Sequence, residues 1–229
     1  TRMGLEPVGF ERPEPASMLR MANNVETYLG FPQGISGQEL FRLFREQLDR
    51  YQVEVLYKEV KKVYSGEEVF IIESEDDQFS CDVLVVASGT RPVKLAIPVW
   101  DEELARYFHS DISRIPVHGG LSVGIIGLGD AAFDYALNLS GRGHQVNLFG
   151  RSDKILANRA LWDQFRRNGR IALHVGQVLH SVEESSGKIR CRFKNQEEVS
   201  EYLLDGLIFA TGREAALGFL DDEVLENLH

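Results

Sequence analysis

Apolar positions recur along this chain with two different periods, and the change from one to the other divides it. Leu40, Phe41, Phe44 and Leu48 fall at helical spacing, and Ser36-Gly37-Gln38-Glu39 ahead of them has the form of a capping box. Residues 37–50 are therefore predicted to form an amphipathic helix. Residues 1–35, with prolines at 7, 13, 15 and 32, keep no sustained period and read as irregular. After the helix come runs of strand character: Val53–Tyr57, Val60–Tyr64, Val69–Glu73 and Phe79–Ala87. The turn residues Ser65-Gly66 and Glu75-Asp76-Asp77 between them predict a small antiparallel meander. Asp82–Ala87 reads as a buried strand that leaves its sheet into the tight turn Ser88-Gly89-Thr90-Arg91-Pro92.

From Leu121 the periods alternate. Leu121–Ile126 is a short apolar strand, Gly127-Leu128-Gly129 a glycine turn, and Asp130–Ser140 a helix with Ala132, Phe133, Ala136, Leu137 and Leu139 on its apolar face. Gly141 and Gly143 close that helix. Gln145–Phe149, Arg159–Arg167 and Ile171–Val175 continue as strand, helix and strand, which predicts a parallel sheet with crossover helices. Val178–Glu183, Ile189–Phe193 and Val199–Leu203 read as a three-stranded excursion, and Gly206–Ala210 returns as a buried strand. Asp82–Arg91 (DVLVVASGTR) faintly echoes Asp205–Arg213 (DGLIFATGR).

Composition narrows the class without choosing the function. The 229 residues are 43% apolar and 26% charged, an ordinary globular mix for one large domain or two small ones. Cys81 and Cys191 form no CxxC pair, no zinc spacing and no disulfide framework, which fits a reducing, cytoplasmic setting. No apolar run approaches the roughly 18 residues of a membrane span, so no membrane partner is expected. The formal net charge of −10 argues against a general nucleic-acid binder. Charge is nonetheless uneven. Between Arg142 and Arg170, seven basic residues (142, 151, 154, 159, 166, 167 and 170) face two acidic ones (153 and 163), whereas Glu214–His229 holds five acids and no Lys or Arg. The basic stretch is either a solvated helix face or a landing surface for an anion such as a nucleotide phosphate.

Gly127-x-Gly129-x-x-Ala132 stands between a predicted strand and a predicted helix. The first glycine permits the tight turn, the second lets backbone approach a pyrophosphate, and Ala132 allows helix to pack on strand. The helix N-terminus, with Asp130 and Ala131 in its first turn, offers N–H groups and the positive dipole end to phosphates. At the end of the next strand an NAD site usually carries Asp or Glu for the ribose hydroxyl. Here the residues are Phe149-Gly150-Arg151-Ser152, and Arg151 with Ser152 favours the 2′-phosphate of NADP over NAD.

Taken together these segments resemble the low-molecular-weight thioredoxin-reductase-like flavoproteins, in which a nicotinamide domain is inserted into a flavin domain. Val25–Gly37 is similar to the family's V-E-N-Y-P-G-F-P-x-G-I-S-G segment, and Glu54–Val63 to its adenine-side hairpin. Val85–Pro92 is similar to its A-T-G-A-x-P turn, and Gly127–Ala132 to its G-G-G-D-S-A loop. Gly150-Arg151-Ser152 stands where the family has His-Arg-Arg, and Ala210-Thr211-Gly212 where it has a second A-x-G turn. The resemblance implies an α/β fold: a Rossmann-like nicotinamide-binding βαβ domain with a three-stranded excursion, inserted into an incomplete FAD-binding-type domain with an antiparallel meander. It implies domains at 1–115 (partial FAD type), 116–214 (NAD(P)-binding) and 215–229 (return to the FAD type).

The same resemblance implies the chemistry. NADP would be held by Gly127, Gly129, Asp130, Ala131, Ala132, Arg151, Ser152 and Gly212, and FAD would be touched by Thr27, Val60, Ala87, Gly89 and Thr90. The family's first GxGxxG loop and its closing Gly-Asp turn do not fall within residues 1–229. The expectation is therefore a trimmed fragment or a chain that has lost its flavin site, with FAD held firmly in the full-length protein alone. The family's Cys-x-x-Cys, expected between Tyr107 and Leu121, is replaced by a stretch without thiols, so the usual dithiol route to thioredoxin is not expected. Hydride transfer from NADPH to FAD, and on to a small molecule or small redox protein, is the expected function, and a homodimer is left open. The alternatives are a flavin monooxygenase and a flavin-free NADP-binding sensor or scaffold. Within the replacement stretch, His109 beside Ser110 and Asp111 is a candidate for proton transfer, against the plainer reading of a polar linker.

Overall fold

Strands that carry apolar residues on successive positions must be covered on both faces, and Ser122–Ile126 is such a strand. The structure, a computed structural model, describes residues 4–13, 18–93, 102–196 and 198–228. Contacts divide it into two compact units, one of 1–17, 39–91 and 213–229 and the other of 18–38 and 92–212.

The second unit is built on a five-stranded sheet in the order Ile171–Val175, Gln145–Gly150, Ser122–Ile126, Gly206–Phe209, Phe108–His109, with parallel pairing throughout. Alternate residues separate its two faces. Val123, Ile125, Val146, Leu148 and Ile208 pack under the helix Asp130–Gly141, against Ala132, Phe133, Ala136 and Leu139. Leu207 and Phe149 pack on the other face against Ile189, Cys191, Phe193 and Leu204. Those residues belong to the antiparallel excursion Val178–Ser185, Lys188–Asn195, Glu198–Leu204. On the excursion face Gly124 is required by contact: a Cβ there would lie 2.6 Å from Leu204 Cδ1 and 2.7 Å from Leu207 Cδ1. Phe149 is clamped between Phe193 (centroids 3.8 Å apart, 10° between planes) and His174 (4.9 Å, 20°). His174 Nε2 lies 3.0 Å from Asn147 Oδ1 and its Nδ1 3.2 Å from the Tyr202 hydroxyl. An amide oxygen only accepts, so Nε2 donates to it and Nδ1 accepts from the tyrosine; burial also keeps the ring's pKa below its usual value.

In the first unit the meander is observed as Lys62–Ser65, Phe70–Glu73 and Gln78–Cys81. The helix Gly37–Arg50 runs over its predicted residues. Two expectations are corrected. The run 53–57 does not join the meander; its strand Glu54–Leu56 pairs in parallel with Val8–Phe10, inside the segment expected to be irregular. Asp82–Ala87 is not a buried strand. Leu84 and Val86 pack toward the cluster of Val63, Ile72, Leu220 and Val224, but Val83 and Val85 are 74% and 81% exposed. A strand needs a ladder partner as well as apolar composition, and none is hydrogen-bonded to it among the described residues. By packing, the second unit takes in Phe108–His109, which pairs with Gly206–Phe209. Among the described residues no helix is long and apolar enough to cross a membrane.

Residues 18–38 form an arm laid along the helix Asp130–Gly141. Asn138 Nδ2 donates to the Met21 carbonyl (3.1 Å), and the Asn23 N–H donates to the Asp134 carboxylate (3.1 Å). Gly37 lets the arm close on itself, since a Cβ there would lie 1.7 Å from the Leu19 carbonyl oxygen. Burial raises the Asp134 pKa to about 6, opposed by the Asn23 N–H. The folded value lies above the unfolded one of about 3.9, so ionising Asp134 costs stability across the window between them, up to about 3 kcal/mol above it. The Tm advantage of Asp134→Asn over wild type is expected to grow between about pH 4.5 and about pH 7.5. An advantage that stays constant in paired thermal melts would show that the carboxylate is not desolvated.

Candidate nucleotide-binding site

Parallel pairing aligns the carboxyl ends of Ser122–Ile126, Gln145–Gly150 and Gly206–Phe209 on one sheet edge, and the predicted nicotinamide residues follow these ends. At the first, Gly127 has φ +136° and its N–H donates to the Phe149 carbonyl (2.9 Å). A Cβ on Gly127 would stand 2.2 Å from the Ala210 carbonyl oxygen, so the turn presses against the neighbouring turn 210–212. Gly212, φ +135°, accepts a hydrogen bond at its carbonyl from the Val93 N–H (3.2 Å).

Gly129 differs from Gly127 in what surrounds it. It is the N-cap of the helix, extended at φ −94° and ψ 178°, with no side chain to cap the first N–H groups, and a Cβ built on it meets nothing within 4 Å. Gly127 is thus a glycine of packing and Gly129 a glycine of open approach. Ala132 is fully buried under the helix, so it serves packing, whereas Ala131 is half-buried in the first turn. Such a helix end, with no side-chain cap and the positive end of the dipole, is of the kind that can receive an anion.

Arg151 and Ser152 are exposed immediately beyond Gln145–Gly150. Of the seven basic residues, Arg142 is the C-cap of the helix Asp130–Gly141 and the other six divide in two. Arg151, Lys154 and Arg159 stand on the glycine-turn edge, while Arg166, Arg167 and Arg170 lie at the far end of the helix Arg159–Arg166, beside the start of Ile171–Val175. Sequence reasoning missed three residues that shape this edge. Asn158 caps the helix Arg159–Arg166 by accepting from the Leu161 N–H (3.1 Å) and donates to Asp130. The Leu156 N–H donates to the Leu128 carbonyl (2.8 Å), and the Gln177 N–H to the Gly150 carbonyl (2.8 Å). The capping pattern of Asn158 before a helix was readable, whereas the backbone bonds carry no side-chain signal.

The remaining candidates lie elsewhere. His109 sits in the edge strand Phe108–His109 with its ring against Gly206, at the start of that strand and away from Ala210 and the glycine turn. Burial lowers its pKa, helped by Arg114 and opposed by Asp111. The Asp111 carboxylate accepts from the Ser113 N–H (2.8 Å), and His109 Nδ1 is buried without a partner among the described residues. Thr27 is exposed beyond the Val25–Ile35 bridge of the arm. In the other unit Val60 packs against the Val63 cluster, and Ala87 and Gly89 are exposed. Thr90 there accepts from the Arg213 guanidinium at its hydroxyl (2.8 Å) and carbonyl (2.7 Å). Cys191 is fully enclosed, its pKa raised to about 12 by burial, and Cys81 is half-buried with its pKa also raised, burial again the main cause.

Comparison with known proteins agrees with this architecture. The chain is 26% identical over 235 residues to NADPH-dependent thioredoxin reductase 3 of Arabidopsis thaliana, covering 97% of this chain and 44% of that protein. It is 29% identical over 223 residues to the thioredoxin reductase of Pneumocystis carinii, covering 92% of this chain and 67% of that one. The crystal structure of Lactococcus lactis thioredoxin reductase superposes with a TM-score of 0.84 at 25% identity, over 95% of this chain and 73% of that one. Bacillithiol disulfide reductase of Bacillus cereus shares the fold with a TM-score of 0.76 at 19% identity, over 95% of this chain and 74% of that one. Residues 19–228 match the sequence profile described as pyridine nucleotide-disulphide oxidoreductase, and with the turn, helix end and sheet edge described above the chain belongs to that family.

Proposed function

We propose that this chain belongs to an NADPH-dependent flavoprotein oxidoreductase that works with FAD and delivers electrons to an acceptor other than a protein dithiol. The observation that carries the reading is Gly129: an extended, side-chain-free residue at an uncapped helix N-terminus, open to approach on the edge where Arg151 and Ser152 also stand. Its residues fit a dinucleotide. The N–H groups of the first helical turn would meet the pyrophosphate, and Arg151 with Ser152 would meet a 2′-phosphate. Reduced nicotinamide supplies the hydride and flavin accepts it, so the protein needs to hold and orient but not to act as acid, base or nucleophile.

The non-dithiol acceptor rests on the thiols. Residues 107–121 contain no cysteine, Cys191 is enclosed, and neither thiol is shifted toward the thiolate. The enclosed packing of Cys191 supports a structural role. The acceptor is then a small molecule or a small redox protein reached through flavin. The domain reading follows the same logic: the unit of 92–212 with its arm is the nicotinamide side, and the other unit the flavin side.

Calorimetric titration tests the nucleotide half. Gly129→Val should abolish NADPH binding with an unchanged circular dichroism spectrum, because its side chain fills the open approach; retained affinity would make the turn merely structural. Arg151→Ala should weaken NADPH by about 1–3 kcal/mol and leave NADH nearly unchanged, the size of one charge-assisted hydrogen bond. Equal losses for both nucleotides would remove the NADP preference. The flavin half is tested by the visible spectrum of the natural protein. Blue-light absorbance bleached by NADPH under nitrogen is expected, and a colourless protein that binds NADPH would favour a sensor or scaffold.

A further inference from the structure

The segment carrying Arg151 and Ser152 is fastened to the glycine turn at three levels. Where it leaves the sheet, the Gly127 N–H donates to the Phe149 carbonyl at 2.9 Å. Midway, the Leu156 N–H donates to the Leu128 carbonyl at 2.8 Å, and Leu128 fills the place of a side chain on Gly150, whose Cβ would lie 2.2 Å from Leu128 Cδ1. At the far end Asp130 Oδ1 accepts from the Asn158 N–H at 2.7 Å and from Asn158 Nδ2 at 3.3 Å. Residues 151–154 between these fastenings are exposed.

Asp130 places an acid in a turn read as phosphate-binding. A carboxylate one residue past Gly129 repels a pyrophosphate, and a turn that needed only donors would do better without it. Its position explains it. As the first residue of one helix, Asp130 is favoured by the positive dipole end, and through Asn158 it reaches the start of a second helix, Arg159–Arg166. One side chain therefore joins two helix N-termini, and together with the two backbone bonds it holds the place of the 151–154 segment relative to the turn.

We propose that Asp130 is a positioning residue for nucleotide selection. By holding Asn158 it fixes the spacing between the pyrophosphate-approach glycine and the Arg151-Ser152 pair, and so sets the discrimination between 2′-phosphorylated and unphosphorylated dinucleotides. This rests on the reading of this edge as the NADP(H) site. It also reassigns Asp130, expected from sequence to touch the cofactor, to a role exerted through its neighbour.

The test is titration of the chain with NADPH and with NADH for wild type, Asp130→Ala and Asp130→Asn. Asp130→Ala is expected to lower the NADPH-to-NADH affinity ratio by about tenfold, chiefly through NADPH. Asp130→Asn keeps an oxygen that accepts from the Asn158 N–H and should restore most of that ratio. Equal weakening of both nucleotides in Asp130→Ala would mean general loss of structure, and equal tightening would mean simple removal of a repelling charge. Either outcome overturns the proposal while leaving the site reading intact, as would an Asp130→Asn that behaves like alanine. If Asp130→Ala does not fold by circular dichroism, Asp130→Ser, too short to reproduce the bridge but suited to a helix start, takes its place with the same expected ratio. A wild-type chain that binds neither nucleotide would overturn the site reading, and this proposal with it.

Discussion

The pairing of Ser122–Ile126 with a parallel neighbour on each side is the constraint on which the rest of the second unit depends. A strand hydrogen-bonded on both edges and covered on both faces has no solvated side, so its sequence is apolar and its glycine sits where two leucines need room. Parallel direction then brings the ends of three strands to one edge. The chain must turn sharply there, and Gly127 and Gly129 are the turn. One is fixed by the carbonyl of Ala210 and the other left open, so the same strand geometry that closes the core also leaves the backbone uncovered at the helix start.

How much was legible in the sequence follows from which physical signals are local. The helix Gly37–Arg50, the βαβ run and the three-stranded excursion carry their periodicity within themselves, and their predicted limits differ from the observed ones by at most two residues. Val8–Phe10 and Phe108–His109 are short strands whose existence depends on partners Glu54–Leu56 and Gly206–Phe209 far along the chain, a dependence that no local window contains. Asp82–Ala87 shows the converse, a sequence of strand composition without a ladder. At the site, the glycines were readable because their spacing is a backbone requirement. The Asp130–Asn158 bridge was not, because it joins residues 28 positions apart.

On the proposed NADPH reading, charge on the glycine-turn edge serves selectivity more than strength. Of the seven basic residues, three (Arg166, Arg167 and Arg170) lie at the far end of the helix Arg159–Arg166, where positive charge complements its dipole. Near the turn, exposed Arg151 and Lys154 are separated by Ser152 and Asp153. A site of this kind draws little from long-range attraction and much from placement, which puts the demand on the rigidity of its frame. Phe149, clamped between Phe193 and His174 directly before Gly150, supplies that rigidity from beneath.

The place of Gly206–Phe209 has a consequence for how the protein is made. It lies between Ser122–Ile126 and Phe108–His109, yet both neighbours precede it in the chain, and the whole antiparallel excursion is threaded before it arrives. During synthesis Ser122–Ile126, Gln145–Gly150 and Ile171–Val175 have every local contact needed to assemble with their helices. The other edge of Ser122–Ile126 remains a bare row of N–H and C=O groups until the ribosome has released residue 209. A nascent chain paused before that point presents an apolar, unpaired edge at the centre of its future sheet, and this interval is when the polypeptide is most open to mispairing and to capture by chaperones.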